Sequence, residues 1–254
     1  MVGEPLSHRI DGPGGAPVVV LSHALGSSSE MWQDVLPPLQ TRYRVVRADT
    51  RGHGRSPAPP GPYAIADLVA DQLALLDELG IARASFVGLS MGGAVCMLLG
   101  ATAPERVDRL VLCSTAEKFG DPDGWRERAA TVRSEGTEAL ADIAMERWFT
   151  PEFTLQEPDR VARTRGIFVV TDDEGYAACC DAIAEWDFTE RLGEITAPTM
   201  VVGGQRDPTV APDRSRALAA AIPGAALALI PGAAHLTAVS HPQELATAVL
   251  AHLG

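Results

Sequence analysis

No apolar stretch in this 254-residue chain approaches the roughly 20 residues needed to cross a bilayer. The first residues, MVGEPLSHRIDGPGG, lack a basic region followed by an apolar run, so no signal peptide is expected. Cysteine is scarce: Cys96, Cys113, Cys179 and Cys180, none in a CxxC pair and two of them adjacent. That spacing excludes the usual zinc patterns and suits buried thiols in a reducing cytoplasm. Basic residues are in the minority. Lys and Arg number 21 against 33 Asp and Glu, a formal net charge of −12. Such a field opposes nucleic acids and anionic membranes, so neither is an expected partner. An anionic substrate would need local cations. No internal repeat or low-complexity linker is visible, and the pattern does not define an oligomeric state.

What is present is ordinary globular material, with 46% hydrophobic and 21% charged residues. A chain of this length buries most of its apolar surface without disulfides or a structural metal. Short apolar runs alternate with helical patterns. Val18–Leu21, Tyr43–Ala48, Ser85–Val87 and Val107–Cys113 read as strands. Ser28–Gln40, Ile65–Leu79 and Met91–Ala103 read as helices, with Gly80 and Pro104 as stop signals. After Ser114 the rhythm breaks. Residues 116–191 hold helical patterns at Trp125–Arg133, Glu138–Trp148 and Gly175–Glu185 but no convincing strand. The rhythm resumes with strand Pro198–Val202, helix Asp213–Ala221 (with Asp213 as its cap), strand Ala226–Ile230 and helix Pro242–Leu253. Alternating strands and helices imply a doubly wound, mostly parallel sheet. The expected division is an α/β core, 1–115 and 192–254, carrying a helical cap, 116–191.

Gly88-Leu89-Ser90-Met91-Gly92 fits G-x-S-x-G. It follows a strand and opens a helix, the setting of a nucleophile elbow. Small residues on either side of the serine allow strand and helix backbones to converge. The helix N-terminus favours developing negative charge. An idle serine in a glycine-rich turn is the weaker reading. With such an elbow the partners follow in the order Ser, Asp/Glu, His. Of six histidines, His8, His23 and His53 precede Ser90. His241 and His252 belong to the last helix or its start. His235 sits in a loop just after a strand and is the expected base. Asp207, after the preceding strand, is the expected acid, with Glu117 as the rival from the strand before it. The backbone N–H groups of Leu25 and Met91 are the expected oxyanion donors. His23 is expected to support that loop. The loop Asp49–Ser56, with His53, is expected to be bracing and not chemistry.

These residues together resemble the α/β-hydrolase superfamily over essentially the whole chain. Ala24 stands where many members have Gly after the histidine of the oxyanion loop. Three strings, Arg147–Phe153 (RWFTPEF), Gly175–Ile183 (GYAACCDAI) and Ser22–Ser27 (SHALGS), resemble the 3-oxoadipate enol-lactonases. That resemblance implies hydrolysis of an enol-lactone in the breakdown of aromatic compounds, through a Ser-His-Asp triad and an acyl-enzyme, with no cofactor. Its substrate is a small anionic lactone. Arg133 and Arg147 are the candidate cations, and Trp148 and Trp186 the candidate walls. The same triad could instead serve a carboxylesterase, a C–C hydrolase of meta-cleavage products or a cofactor-free perhydrolase. A ligand receptor on a hydrolase fold is the non-enzymatic alternative.

Overall fold

The computed structural model describes residues 5–254. Seven strands form one sheet: β1 (His8–Asp11), β2 (Val18–Ser22), β3 (Arg44–Ala48), β4 (Ala84–Leu89), β5 (Val107–Cys113), β6 (Thr199–Gly204) and β7 (Ala226–Ile230). Their order is β1-β3-β2-β4-β5-β6-β7. All neighbours are parallel except β1 with β3. The chain steps one way across the sheet from β2 to β3 and the other way from β4 onward. The carboxyl ends of β2 and β4 therefore flank the switch point, where open α/β sheets leave a crevice.

The central strands are apolar because they are covered on both faces: every residue of β4 is buried. Strand β1 carries no apolar run and lies outside the strands expected from the sequence. It is a charged edge strand, held by four register pairs with β3 and by an Arg47–Asp11 ion pair at 2.8 Å. The expected helix Ser28–Gln40 is instead a 3₁₀ turn, Ser29–Trp32, and a short helix α1 (Leu36–Leu39). Pro37 and Pro38 explain the break, since neither can donate to a preceding turn.

Helix α2 (Ile65–Glu78) buries the stripe Ile65, Leu68, Val69, Leu75 and Leu76, and Gly80 follows at φ +65°. Helix α3 (Met91–Thr102) is buried from Met91 to Gly100 and packs on β2, β4 and β5. Between β5 and β6 lie α4 (Pro122–Glu135), α5 (Ala141–Trp148), α6 (Pro151–Gln156), α7 (Pro158–Val169) and α8 (Asp173–Ala184). Helices α6 and α7 fall where loops were expected. Proline starts each of them at the first turn, where its missing N–H costs nothing.

After β6 come α9 (Pro212–Ala221), α10 (Thr237–Ser240) and α11 (Pro242–Leu253), the last packed on β5, β6 and β7. Asp213 does not cap α9. The cap is Ala211, and the Asp213 side chain, 96% exposed, lies beside Arg216. Pro212 takes the first helical position, which moves the start upstream of Asp213. Among the described residues no helix is long and apolar enough to cross a membrane.

Candidate active site

Ser90 stands between β4 and α3 with φ 56° and ψ −116°, a conformation that L residues adopt only under constraint. The constraint is visible. Ser90 donates its N–H to Cys113 O at 2.9 Å, and its carbonyl accepts from Thr115 Oγ1 at 2.8 Å. A Cβ at Gly92 would run into Ser22 O, and one at Gly88 into Gly92 O. The glycines are needed because three backbones meet within van der Waals contact under the serine.

Asp207 follows β6 and His235 follows β7, in two adjacent loops joined by Arg206 N–H to Ala233 O at 2.8 Å. His235 Nδ1 and Asp207 Oδ2 are 2.8 Å apart, and both residues are buried. The other carboxylate oxygen, Oδ1, accepts from Thr209 N at 2.8 Å and Val210 N at 3.0 Å. Asp207 thus organises its own loop with one oxygen and orients the imidazole with the other. A carboxylate at Nδ1 fixes the proton there and leaves Nε2 as an acceptor. His235 and Ser90 line the same cavity. The rival acid, Glu117, points elsewhere: it pairs with Arg214 at 2.7 Å.

Leu25 lines that cavity too, and Met91 opens α3 beneath it. Among the described residues neither backbone N–H has an acceptor. Ala24 keeps an ordinary negative φ, so the missing glycine imposes no strain on this loop. Two buried imidazoles brace it. His23 has Nδ1 at 2.8 Å from Ala24 O and accepts Thr50 N–H at Nε2 at 2.8 Å. His53 accepts Gly26 N–H at Nε2 and has Nδ1 at 3.1 Å from Arg51 O. Each ring accepts an N–H at Nε2, so each is neutral with its proton on Nδ1. Burial lowers both affinities for a second proton. For His53, burial and the neighbouring His23 push the pKa down to about 3. The loop Asp49–Ser56 braces, as expected. Burial opposes ionisation of Asp49, but N–H donors from Ser29 and Arg55 outweigh it and hold its carboxyl below the usual range.

The cavity at Ser90 is narrow, about 60 Å³. It adjoins an outer chamber of about 630 Å³, and Phe119, Trp125, Arg128, Arg147 and Thr209 line both. Arg147 and Trp148 are therefore at the cavity, as expected. Arg133 and Trp186 are not. Arg133 turns outward to Glu174 and Asp181, at 2.9 and 2.8 Å. Trp186 stacks on Phe188 and donates its indole N–H to Ala116 O at 3.1 Å. Arg128, which sequence reasoning missed, takes the place expected of Arg133. Its Nε donates to Tyr176 Oη at 2.6 Å, and its guanidinium lies over the rings of Trp125 and Tyr176. Among the described residues no cluster of His, Cys, Asp or Glu is arranged to hold a metal ion.

Residues 17–242 match the family described as alpha/beta hydrolase fold, and the chain belongs to that family. Within it, the chain is similar to 3-oxoadipate enol-lactonase 2 of Acinetobacter baylyi, at 37% identity over 96% of this chain and 91% of that protein. It superimposes on the crystal structure of the enol-lactonase from Burkholderia xenovorans LB400 with a TM-score of 0.95 and 42% identity, covering 98% and 96% of the two chains. A thermophilic esterase from Thermogutta terrifontis, solved with malate bound, aligns with a TM-score of 0.93 at 28% identity, covering 98% and 92%.

Proposed function

We propose that this hydrolase opens 3-oxoadipate enol-lactone to 3-oxoadipate, a step in the breakdown of aromatic compounds, with Ser90, His235 and Asp207 as its triad. The observation that carries the reading is the His235–Asp207 hydrogen bond over the cavity that Ser90 lines. The enol-lactonase relatives narrow the substrate.

In this reading the helices of residues 116–191 act as a cap over the nucleophile. The lactone carbonyl enters the narrow cavity. Ser90 Oγ attacks it while His235 Nε2 takes the hydroxyl proton, and Asp207 stabilises the imidazolium. The N–H groups of Leu25 and Met91 receive the developing oxyanion. Collapse breaks the ring C–O bond and expels an enolate, still tethered to the acyl chain. It takes the proton from His235 and tautomerises to a ketone. Water then attacks the ester carbonyl with its proton passing to His235, and Ser90 leaves with that proton. Arg128 and Arg147 face the substrate carboxylate, and Trp125 and Trp148 flank the ring.

Steady-state hydrolysis of the enol-lactone by wild type and Ser90→Ala tests this. Turnover in wild type and a loss of about 10⁴-fold or more in the variant are expected. Hydrolysis of a simple aryl ester without any on the lactone would sink the proposed substrate.

A further inference from the structure

We propose that the same site hydrolyses linear monoesters of six-carbon dicarboxylic acids, with Arg128 and Arg147 receiving the free carboxylate. The inference rests on the reading of Ser90 as nucleophile, but not on the lactone being its substrate.

The walls of the inner cavity hold two arginines and no carboxylate. In a chain of net charge −12 this is a local reversal of sign. Other cations at the outer chamber are already matched: Lys118 by Asp187 at 2.9 Å, and Arg214 by Glu117 at 2.7 Å. Asp121 and Glu127, both exposed, also line the outer chamber but not the inner cavity. Arg128 and Arg147 are in no ion pair among the described residues, although both line the cavity that Ser90 lines. Arg128 is held in place: its Nε is committed to Tyr176 Oη, which leaves the two Nη groups to donate. A fixed guanidinium with unspent donors is suited to bidentate capture of a carboxylate.

The chemistry of the acyl-enzyme then sets the substrate class. Opening the enol-lactone leaves on Ser90 a six-carbon acyl chain ending in a carboxylate. A linear half-ester of a six-carbon dicarboxylic acid leaves a chain of the same length and terminal charge, without the keto group. Besides the missing keto group, only the leaving group differs, since it is now a separate alcohol. Ser90 Oγ bonds to the acyl carbon, the C–O bond to the alcohol breaks, and the proton held by His235 goes to the departing oxygen. Water then releases the diacid as in the lactone reaction. The outer chamber has room for the alcohol, which need not fit the narrow cavity.

The test compares 4-nitrophenyl hydrogen adipate with its methyl-capped diester, which has the same acyl length and leaving group but no charge. Both are assayed beside the enol-lactone, in wild type, Arg128→Met and Arg147→Gln. Wild type is expected to prefer the free acid in kcat/KM by about tenfold or more. That ratio should fall toward one in both variants. Arg147 is exposed, so its substitution reads the ratio even if Arg128→Met fails to fold. A wild-type ratio of one or less, or a ratio that neither substitution moves, overturns the inference. Lactone turnover with neither ester hydrolysed also overturns it and leaves the enol-lactone reading standing. Ester turnover without lactone turnover does the reverse, provided the ratio holds.

Discussion

His53 accepts the backbone N–H of Gly26 at 2.9 Å through Nε2, reaching across 27 residues to the loop that carries Leu25. His23 holds the same loop at Ala24 O, with Nδ1 at 2.8 Å. The residues on either side of Leu25 are thereby each held by an imidazole. His53→Ala leaves the Gly26 N–H without its partner, and the loop can rotate. Loss of one well-placed oxyanion donor costs about 10²–10³ in kcat, and misplacing it should cost about 10- to 100-fold with little change in KM. Steady-state kinetics on the substrate, with kcat and KM separated, check this.

The same two rings set an acid limit. Folding holds His53 neutral down to about pH 3, whereas the unfolded chain protonates it near 6.5. Its contribution to stability is fully present above about pH 6.5 and is lost as pH falls toward about 3. His23 is shifted in the same direction. Each group steepens the loss by up to about 1.4 kcal/mol per pH unit inside its window. Urea midpoints measured from pH 7 to pH 4 should fall less steeply in His53→Gln than in wild type. Parallel slopes would show that His53 does not carry the effect.

Asp207→Asn separates the two duties of that carboxylate. The amide oxygen can still accept from Thr209 and Val210, so the loop survives. The other position becomes a donor facing His235 Nδ1, which forces the wrong tautomer. A loss in kcat of about 10³–10⁴ is expected with only a small change in thermal midpoint. A comparable loss of stability would point to a structural role for Asp207 instead.

Arg133→Ala is expected to do little. Its partners Glu174 and Asp181 are at the surface, and such exposed pairs contribute about 0–1 kcal/mol. Lactone kcat/KM should stay within about twofold of wild type, whereas Arg128→Met should raise KM. A fall in Arg133→Ala as large as in Arg128→Met would contradict the outward placement of Arg133.

The contrast between those two arginines shows where the sequence stops being legible. Ser90, Asp207 and His235 can be read because each sits just past a strand and their order along the chain is diagnostic. Arg128 and Arg133 lie on one helix, five residues apart, and so about 140° around it. Choosing between them requires knowing which face meets Tyr176, 48 residues further on. Trp148 and Trp186 pose the same problem, since aromatic side chains pack wherever a core is close. Strand β1 escaped for the opposite reason: HRID has no apolar alternation, and only pairing with β3 makes it a strand. The elbow was readable because its glycines answer a local steric demand.

One further bond bears on how the site is entered. Leu236, next to His235, donates its N–H to the carbonyl of Trp148 at the end of α5, at 3.1 Å. The proposed base, His235, and a wall of the cavity therefore share a tether. Lifting α5 away from the sheet would either break that bond or drag the imidazole off Asp207. A route that leaves α5 docked and this bond intact passes the side chains that line both spaces, Phe119, Trp125, Arg128, Arg147 and Thr209. On that route substrate enters without a hinged lid.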